Sequence, residues 1–244
     1  MANLTQLRML EDLDGFLLVD KPAGIAFSSV VKTVRRKFNL VKVGHGGSLD
    51  AMATGLLVLL INDANKFVGD VMGADRAYEG VMRLGLSTNT HDVQGEPTGG
   101  SAPDGGWGAS FRERALAALP EFRGDVFQTE SRWCSVRREG SAVYEVADTG
   151  DHKPFLAHVY RFDVGEIDGD GRLAFSVTCT KGLIVRTLVN DFGAALGCGA
   201  ALESLRRVRV GKFDVADAIP FDRLLDTDIR DFPSCVTSLG EGLR

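Results

Sequence analysis

The chain has 244 residues, 44% of them hydrophobic and 25% charged, with a formal net charge of -5. That length can bury a real core as one large domain or two small ones, and the composition excludes a disordered or fibrous chain. No apolar run reaches a membrane span, and the acidic start from Met1 to Asp14 lacks the basic and apolar regions of a signal peptide, so cytoplasmic residence is expected. The four cysteines, Cys134, Cys179, Cys198 and Cys235, lack CxxC spacing, which counts against a zinc knuckle or a redox pair and favours reduced thiols.

In chain order, Gly15 to Asp20 is a short apolar run ended by Lys21-Pro22-Ala23-Gly24, the pattern of a buried strand entering a turn. Ser28 or Ser29 then caps a helix with Val30, Val31, Val34 and Phe38 on one face. Leu56 to Ile61 is a second apolar strand, and Asp63 caps a helix that turns Phe67, Val68 and Val71 inward. Tyr78 to Leu84 is a strand, followed by a mobile polar loop from Gly85 to Gly108. Phe111 to Leu119 is helical. Leu173 to Thr180 alternates as a half-buried strand, with Leu173, Phe175, Val177 and Cys179 on one face. Val185, Leu188, Val189, Phe192 and Leu196 recur at helical spacing up to a stop at Gly197. Strands and helices mix without strict alternation, so the expected class is α+β. No repeat and no composition shift marks a second domain.

The net charge argues mildly against a nucleic-acid partner, but its distribution does not. Basic residues cluster at Lys32, Arg35, Arg36, Lys37 and Lys42, at Arg132, Arg137 and Arg138, and at Arg206, Arg207, Arg209 and Lys212. Acidic residues gather at Asp214, Asp217, Asp222, Asp226, Asp228 and Asp231. This segregation fits an RNA-facing surface with an acidic back; a mixed solvated surface fits charge alone equally well. Phosphate-loop, dinucleotide, zinc-protease and nucleophile-elbow motifs do not occur. The pairs His45 with Asp50 and His91 with Asp92 fall short of three metal ligands, so no metal is expected. What remains is carboxylate chemistry. Asp50 is the one acidic residue in the glycine-rich stretch from Gly44 to Gly55, where it is either a turn-former or a reactive group.

That stretch, Gly44-His45-Gly46-Gly47-Ser48-Leu49-Asp50-Ala51-Met52-Ala53-Thr54-Gly55, resembles the GHTGTLDPLATG signature of the TruB family of pseudouridine synthases. Further motifs follow the family's order. Asp20 to Gly24 is similar to DKPxG. Arg76-Ala77-Tyr78 with Arg83-Leu84-Gly85 is similar to KxY…LG and leads into Gly85 to Gly95, which resembles GxxTxTxDxxG. Cys179 to Leu188 resembles CSKGTYIRTL. Leu196 to Ala200 with Ser204 to Arg207 resembles the LGCGAH…LRR end. The resemblance implies a pseudouridine synthase fold, with a mixed, mostly antiparallel sheet, flanking helices and a catalytic cleft. It implies isomerisation of uridine to pseudouridine in RNA after base flipping. By the same correspondence Asp50 is the nucleophile, Tyr78 stacks on the base and assists proton removal, and Arg186 orders Asp50 and keeps it ionised. Lys21, His45, Ile184 and Leu205 fall at substrate-site positions, Lys21 as a loop support and Leu205 as an apolar wall. Read without the family, Tyr78 and Leu205 are core residues, His45 a buried histidine and Arg186 a surface helix residue.

Arg36, Lys42, Arg137 and Arg207 are the expected phosphate contacts. The implied substrate is the uridine at position 55 in the T-arm loop of tRNA. No cofactor, membrane or obligate protein partner is expected, and the protein is expected to be a monomer. The expected organisation is one catalytic domain over 1–244, with a thumb-like insertion at about 128–155, an acidic tail at about 214–244 and no RNA-binding PUA domain. Departures from the family are specific. Ile184 replaces the tyrosine of GTYIRT, Ala51 replaces the proline of the aspartate motif, and Gln128 to Ser135 lacks both prolines of QxPPxYSA, with Trp133 at its tyrosine position. They fall mainly on the RNA-facing insertion, which keeps two alternatives open: a non-catalytic RNA-binding or RNA-remodelling paralogue, and a synthase for another RNA.

Overall fold

A computed structural model describes residue 10, residues 12–129, the backbone of 133–138 and 141–146, and residues 154–242. The chain opens with strand β1 (Gly15–Lys21), helix α1 (Phe27–Lys37), strands β2 (Val43–His45) and β3 (Thr54–Ile61), and helix α2 (Val68–Gly73). Strand β4 (Arg76–Leu84), the short β5 (Ser87–Thr88) and β6 (Pro97–Gly99), helix α3 (Ala109–Ala118), and strands β7 (Gly124–Gln128), β8 (Trp133–Arg138) and β9 (Ser141–Val146) follow. Next come β10 (Phe155–Ile167), β11 (Arg172–Cys179), helix α4 (Val185–Ala195) and β12 (Ala200–Val210). The end comprises β13 (Phe213–Asp214), β14 (Ile219–Pro220), α5 (Phe221–Asp226), β15 (Thr237–Ser238) and α6 (Leu239–Gly242). The chain divides into two compact units, one from Met1–Ala74 with Arg207–Arg244, the other from Asp75–Arg206.

In the first unit β1 pairs antiparallel with β3, from Gly15 opposite Ile61 to Lys21 opposite Gly55, and parallel with β14. Both faces of this pair are covered, which is why β1 and β3 read as unbroken apolar runs. Leu17, Val19, Leu57, Leu59 and Ile61 pack against Val30, Val34 and Phe38 of α1 and against Phe221, Leu224 and Phe232. On the other face Phe16, Leu18, Leu56, Val58 and Leu60 meet Val71 and Val210. Each such fully buried side chain contributes about 1.5–3 kcal/mol. Phe38 and Phe232 stack at 3.8 Å between ring centroids.

In the second unit β4, β11, β10 and β7 form an antiparallel run, with Val177 opposite Tyr78 and Phe155 opposite Gln128. The expected alternation in β11 holds: Leu173, Phe175, Val177 and Cys179 are all buried. Phe162, Phe192 and Phe122 meet edge to face under the helices. Strands β8 and β9 pair as a hairpin from Trp133 opposite Val146 to Arg138 opposite Ser141, within the expected thumb.

Three sequence expectations change. Neither Ser28 nor Ser29 caps α1; the helix starts at Phe27 after an extended Ala26, with no side-chain cap. Asp63 lies inside a 3-10 turn, Asn62–Phe67, and α2 begins only at Val68. The segment 85–108 is pinned more than its polar composition suggests. Gly85 N–H donates to Gly199 O at 3.0 Å, Ser101 N–H to Cys198 O at 3.0 Å, and Val93 N–H to Leu202 O at 3.0 Å.

Candidate active site

The Asp50 loop lies wholly in the first unit and is held from beneath by two buried cations. Arg207, 2% exposed, donates from Nε to Leu56 O at 2.8 Å, from Nη1 to Ser48 O at 2.8 Å and from Nη2 to Gly47 O at 3.3 Å. Lys21, with no exposed surface, donates from Nζ to Pro22 O at 2.8 Å, Ile25 O at 2.9 Å and Ala51 O at 3.2 Å. Gly47 and Ser48 lie outside any strand and have no ladder partner, so Arg207 satisfies their carbonyls, while Ala51 O accepts from Gly24 N–H at 2.8 Å as well as from Lys21. Gly55 completes the clamp: its φ is +99, and a β-carbon there would lie 2.3 Å from Arg207 O. Asp50 is half-buried and opens a turn, its carbonyl accepting from Ala53 N–H at 3.1 Å. Ala51 thus occupies the second position of a turn, where the family's proline would pre-set φ.

Electrostatics follow from this packing. Burial, with the nearby Arg207 charge, pushes the Lys21 ammonium down to about 8, against the opposing pull of Asp50. His45 is held below its ordinary value first by burial and then by Arg207. Its Nδ1 accepts from Gly47 N–H at 3.3 Å, and its ring meets the Phe27 edge at 4.9 Å. Neutral His45 therefore braces the loop, with Nε2 as the protonated nitrogen.

One expected ligand contact is corrected here. Arg207 is not a surface cation for RNA phosphate, because it is 2% exposed and each of its three nitrogens donates to a backbone carbonyl. Lys21 is grouped with substrate-site residues by sequence, but its ammonium is spent on three backbone carbonyls, the contacts of a loop support. Arg36 and Lys42 are exposed, as phosphate contacts must be. The Arg137 side chain lies outside the described residues.

The second unit holds the other expected residues. Arg186 stands in the first turn of α4 and is buried. Its Nη1 donates to Thr90 O at 3.0 Å and lies 3.7 Å from Asp92 Oδ2, an ion-pair contact too long for a hydrogen bond. Asp92 has no exposed surface, and its Oδ1 accepts from Thr90 Oγ1 at 2.9 Å and Gln94 N–H at 3.0 Å. Just ahead of the helix, Gln128 brackets Ile184. Its Oε1 accepts from Ile184 N–H at 2.8 Å, and its Nε2 donates to Ile184 O at 3.1 Å. Tyr78 is half-buried near the start of β4, and Leu205 is buried in β12. Among the described residues no cluster of three or more metal-ligating side chains occurs.

The structure thus gathers His45, Lys21, Asp50 and Arg207 in one unit, and Ile184 and Arg186 at one helix start in the other. Sequence reasoning missed the supporting roles of Arg207, Gln128 and the Thr90–Asp92 turn. All three lie within recognised motifs, but nothing in a motif tells a buried donor from a ligand contact.

Comparison with known proteins identifies the family. Residues 35–185 match the family model described as TruB family pseudouridylate synthase (N terminal domain), and 186–231 match the tRNA pseudouridylate synthase B C-terminal domain. The tRNA pseudouridine synthase B of Stutzerimonas stutzeri is 37% identical over 220 residues, which is 89% of this chain and 70% of that protein. That of Aromatoleum aromaticum is 40% identical over 215 residues, 87% of this chain and 68% of the relative. A chain in the crystal structure of a Cbf5-Nop10-Gar1 complex shares the fold. Its TM-score is 0.72 at 24% identity, over 97% of this chain and 63% of that one. The chain belongs to the TruB family of pseudouridylate synthases.

Proposed function

We propose that this protein isomerises uridine to pseudouridine in tRNA, with Asp50 as nucleophile. The observation that carries this reading is the Asp50 loop itself: a lone carboxylate in an irregular segment whose backbone is immobilised by Lys21 and Arg207 from below. Such a support costs two buried cations, and it holds one side chain in a set position. Arg186 is the cation assigned, by the family resemblance, to keep the nucleophile's carboxylate ionised for attack. Tyr78 stacks on the flipped base and assists loss of its proton, while Leu205 and Ile184 supply apolar contact and His45 holds the loop beside the nucleotide. The reaction exchanges a glycosidic C–N bond for a C–C bond within one nucleotide, so it is redox-neutral and needs no cofactor.

The substrate we infer is the T-arm loop uridine at position 55, bound by a monomer in the cytoplasm through exposed basic residues such as Arg36 on α1 and Lys42. A stem-loop offers phosphates to such residues, and its loop base flips at low cost. No described helix is long and apolar enough to cross a membrane. The test is tritium release from uridine-labelled tRNA transcript by wild type and Asp50→Asn. The expected result is turnover in the wild type and a loss of at least about a thousandfold in the variant, with RNA affinity within about threefold because phosphate contacts dominate binding. An active Asn variant, with deamidation excluded, would remove Asp50 from the mechanism. An inactive wild type that still binds RNA would favour the non-catalytic paralogue.

A further inference from the structure

His91 is the strained residue of the turn that receives Arg186. Its φ is +63, in the left-handed region that side chains other than glycine occupy at a cost, and mostly where function uses the strain. That angle turns the peptide shared with Thr90 so that the Thr90 carbonyl meets Arg186 Nη1 at 3.0 Å. The His91 carbonyl departs the other way and accepts from Leu202 N–H at 2.9 Å. The imidazole is half-buried, and its Nδ1 is buried with no hydrogen-bond partner. The charged groups facing the ring are Asp191 and Arg186, both from α4, and Asp92 of its own turn. Burial first, and Arg186 among these charges, hold the imidazole below its ordinary value against the pull of the two carboxylates.

A neutral ring tolerates an unbonded Nδ1 as a lone pair. An imidazolium would carry an N–H there with no acceptor, and a positive charge facing the guanidinium. We propose that His91 is a positioning residue for Arg186, holding the Thr90 carbonyl against the guanidinium while its ring is neutral and releasing it when the ring is protonated. The proposal rests on reading Arg186 as the partner of the nucleophile. It gives the reaction an acid limb that belongs to neither the nucleophile nor the base.

The test uses the full chain and a tRNA transcript in single-turnover assays across pH. Asparagine accepts the left-handed backbone without titrating, so His91→Asn keeps the turn and removes the switch. The wild-type rate should fall severalfold as pH drops from about 7 to about 5, with the fall setting in below 6.5, while the His91→Asn rate changes less than about twofold. His91→Val, whose branched side chain resists that φ, should lower the saturating single-turnover rate about tenfold, and separate steady-state runs should show KM within about twofold. A separate readout needs no activity: by NMR, the His91 ring should titrate at higher pH in Arg186→Gln than in the wild type. An unmoved His91 titration in Arg186→Gln, or the same acid limb in His91→Asn as in wild type, overturns the proposal. Failure of the wild type to isomerise any RNA would strike the proposed function, and the NMR comparison would still decide the coupling of His91 to Arg186.

Discussion

The loop around Asp50 is held by cations, whereas the turn around Asp92 is held by a carboxylate and a cation together. In the first, Arg207 and Lys21 reach into irregular backbone and donate to Gly47, Ser48, Leu56 and Ala51 carbonyls. In the second, Asp92 accepts from Thr90 and Gln94, and Arg186 donates to the Thr90 carbonyl. The difference lies in which backbone groups are left over. The Asp50 loop turns carbonyls inward, so only donors can satisfy them. The Thr90–Asp92 turn directs donors at a buried carboxylate and one carbonyl outward to a guanidinium. The first clamp fixes the backbone that carries the Asp50 carboxylate; the second orients a cation.

The largest expected effect breaks the first clamp. Arg207→Met keeps bulk but leaves three carbonyls without donors, and should cost about 3 kcal/mol or more of stability by urea unfolding. A loss under about 1 kcal/mol would show that the loop holds itself. Next is the second clamp. Arg186→Lys keeps the charge but loses the planar fork, and isomerisation should slow roughly ten- to a hundredfold in a tritium-release assay. A wild-type rate would mean that position there needs only charge.

Lys21→Met sharpens the contrast through pH. The folded Lys21 titrates at about 8 and the unfolded one near 10.5. Between these values the unfolded chain binds the extra proton, so wild-type stability should rise with pH relative to Lys21→Met. Parallel stability profiles for the two proteins would place the Lys21 ammonium in water rather than under the loop. The smallest effect concerns His45. Its folded value lies below 6.5, so its contribution is present above that pH and is lost as pH falls through the folded value. His45→Asn should therefore lose less stability than wild type on acidification below about pH 6.5, as followed by thermal unfolding.

Most elements were legible in the chain. Apolar runs located β1 and β3, alternation located β11, and helical spacing located α4, because each buries a face with its own period. Two long strands, β10 and β12, were not read. In β10 the outward positions include Leu156 and Tyr160, both more than half exposed, and register shifts interrupt its pairing with β11. In β12, Arg206 and Arg207 look alike in sequence, yet Arg207 is buried and Arg206 is not. The first unit joins residues from both ends of the chain, so no single composition shift marks its edge.

Sequence alone pointed to the family, because its motifs are too long and too ordered to recur by accident, and it offered Asp50 as the candidate nucleophile. Which cations face solvent was decided only by the tertiary structure. A charged side chain is buried when the fold brings unpaired carbonyls to it, and those carbonyls come from residues far away in sequence, such as Gly47 and Ser48 for Arg207. Local pattern carries no trace of that meeting, so the same residue type reads as a phosphate contact until packing shows it to be the floor of the loop.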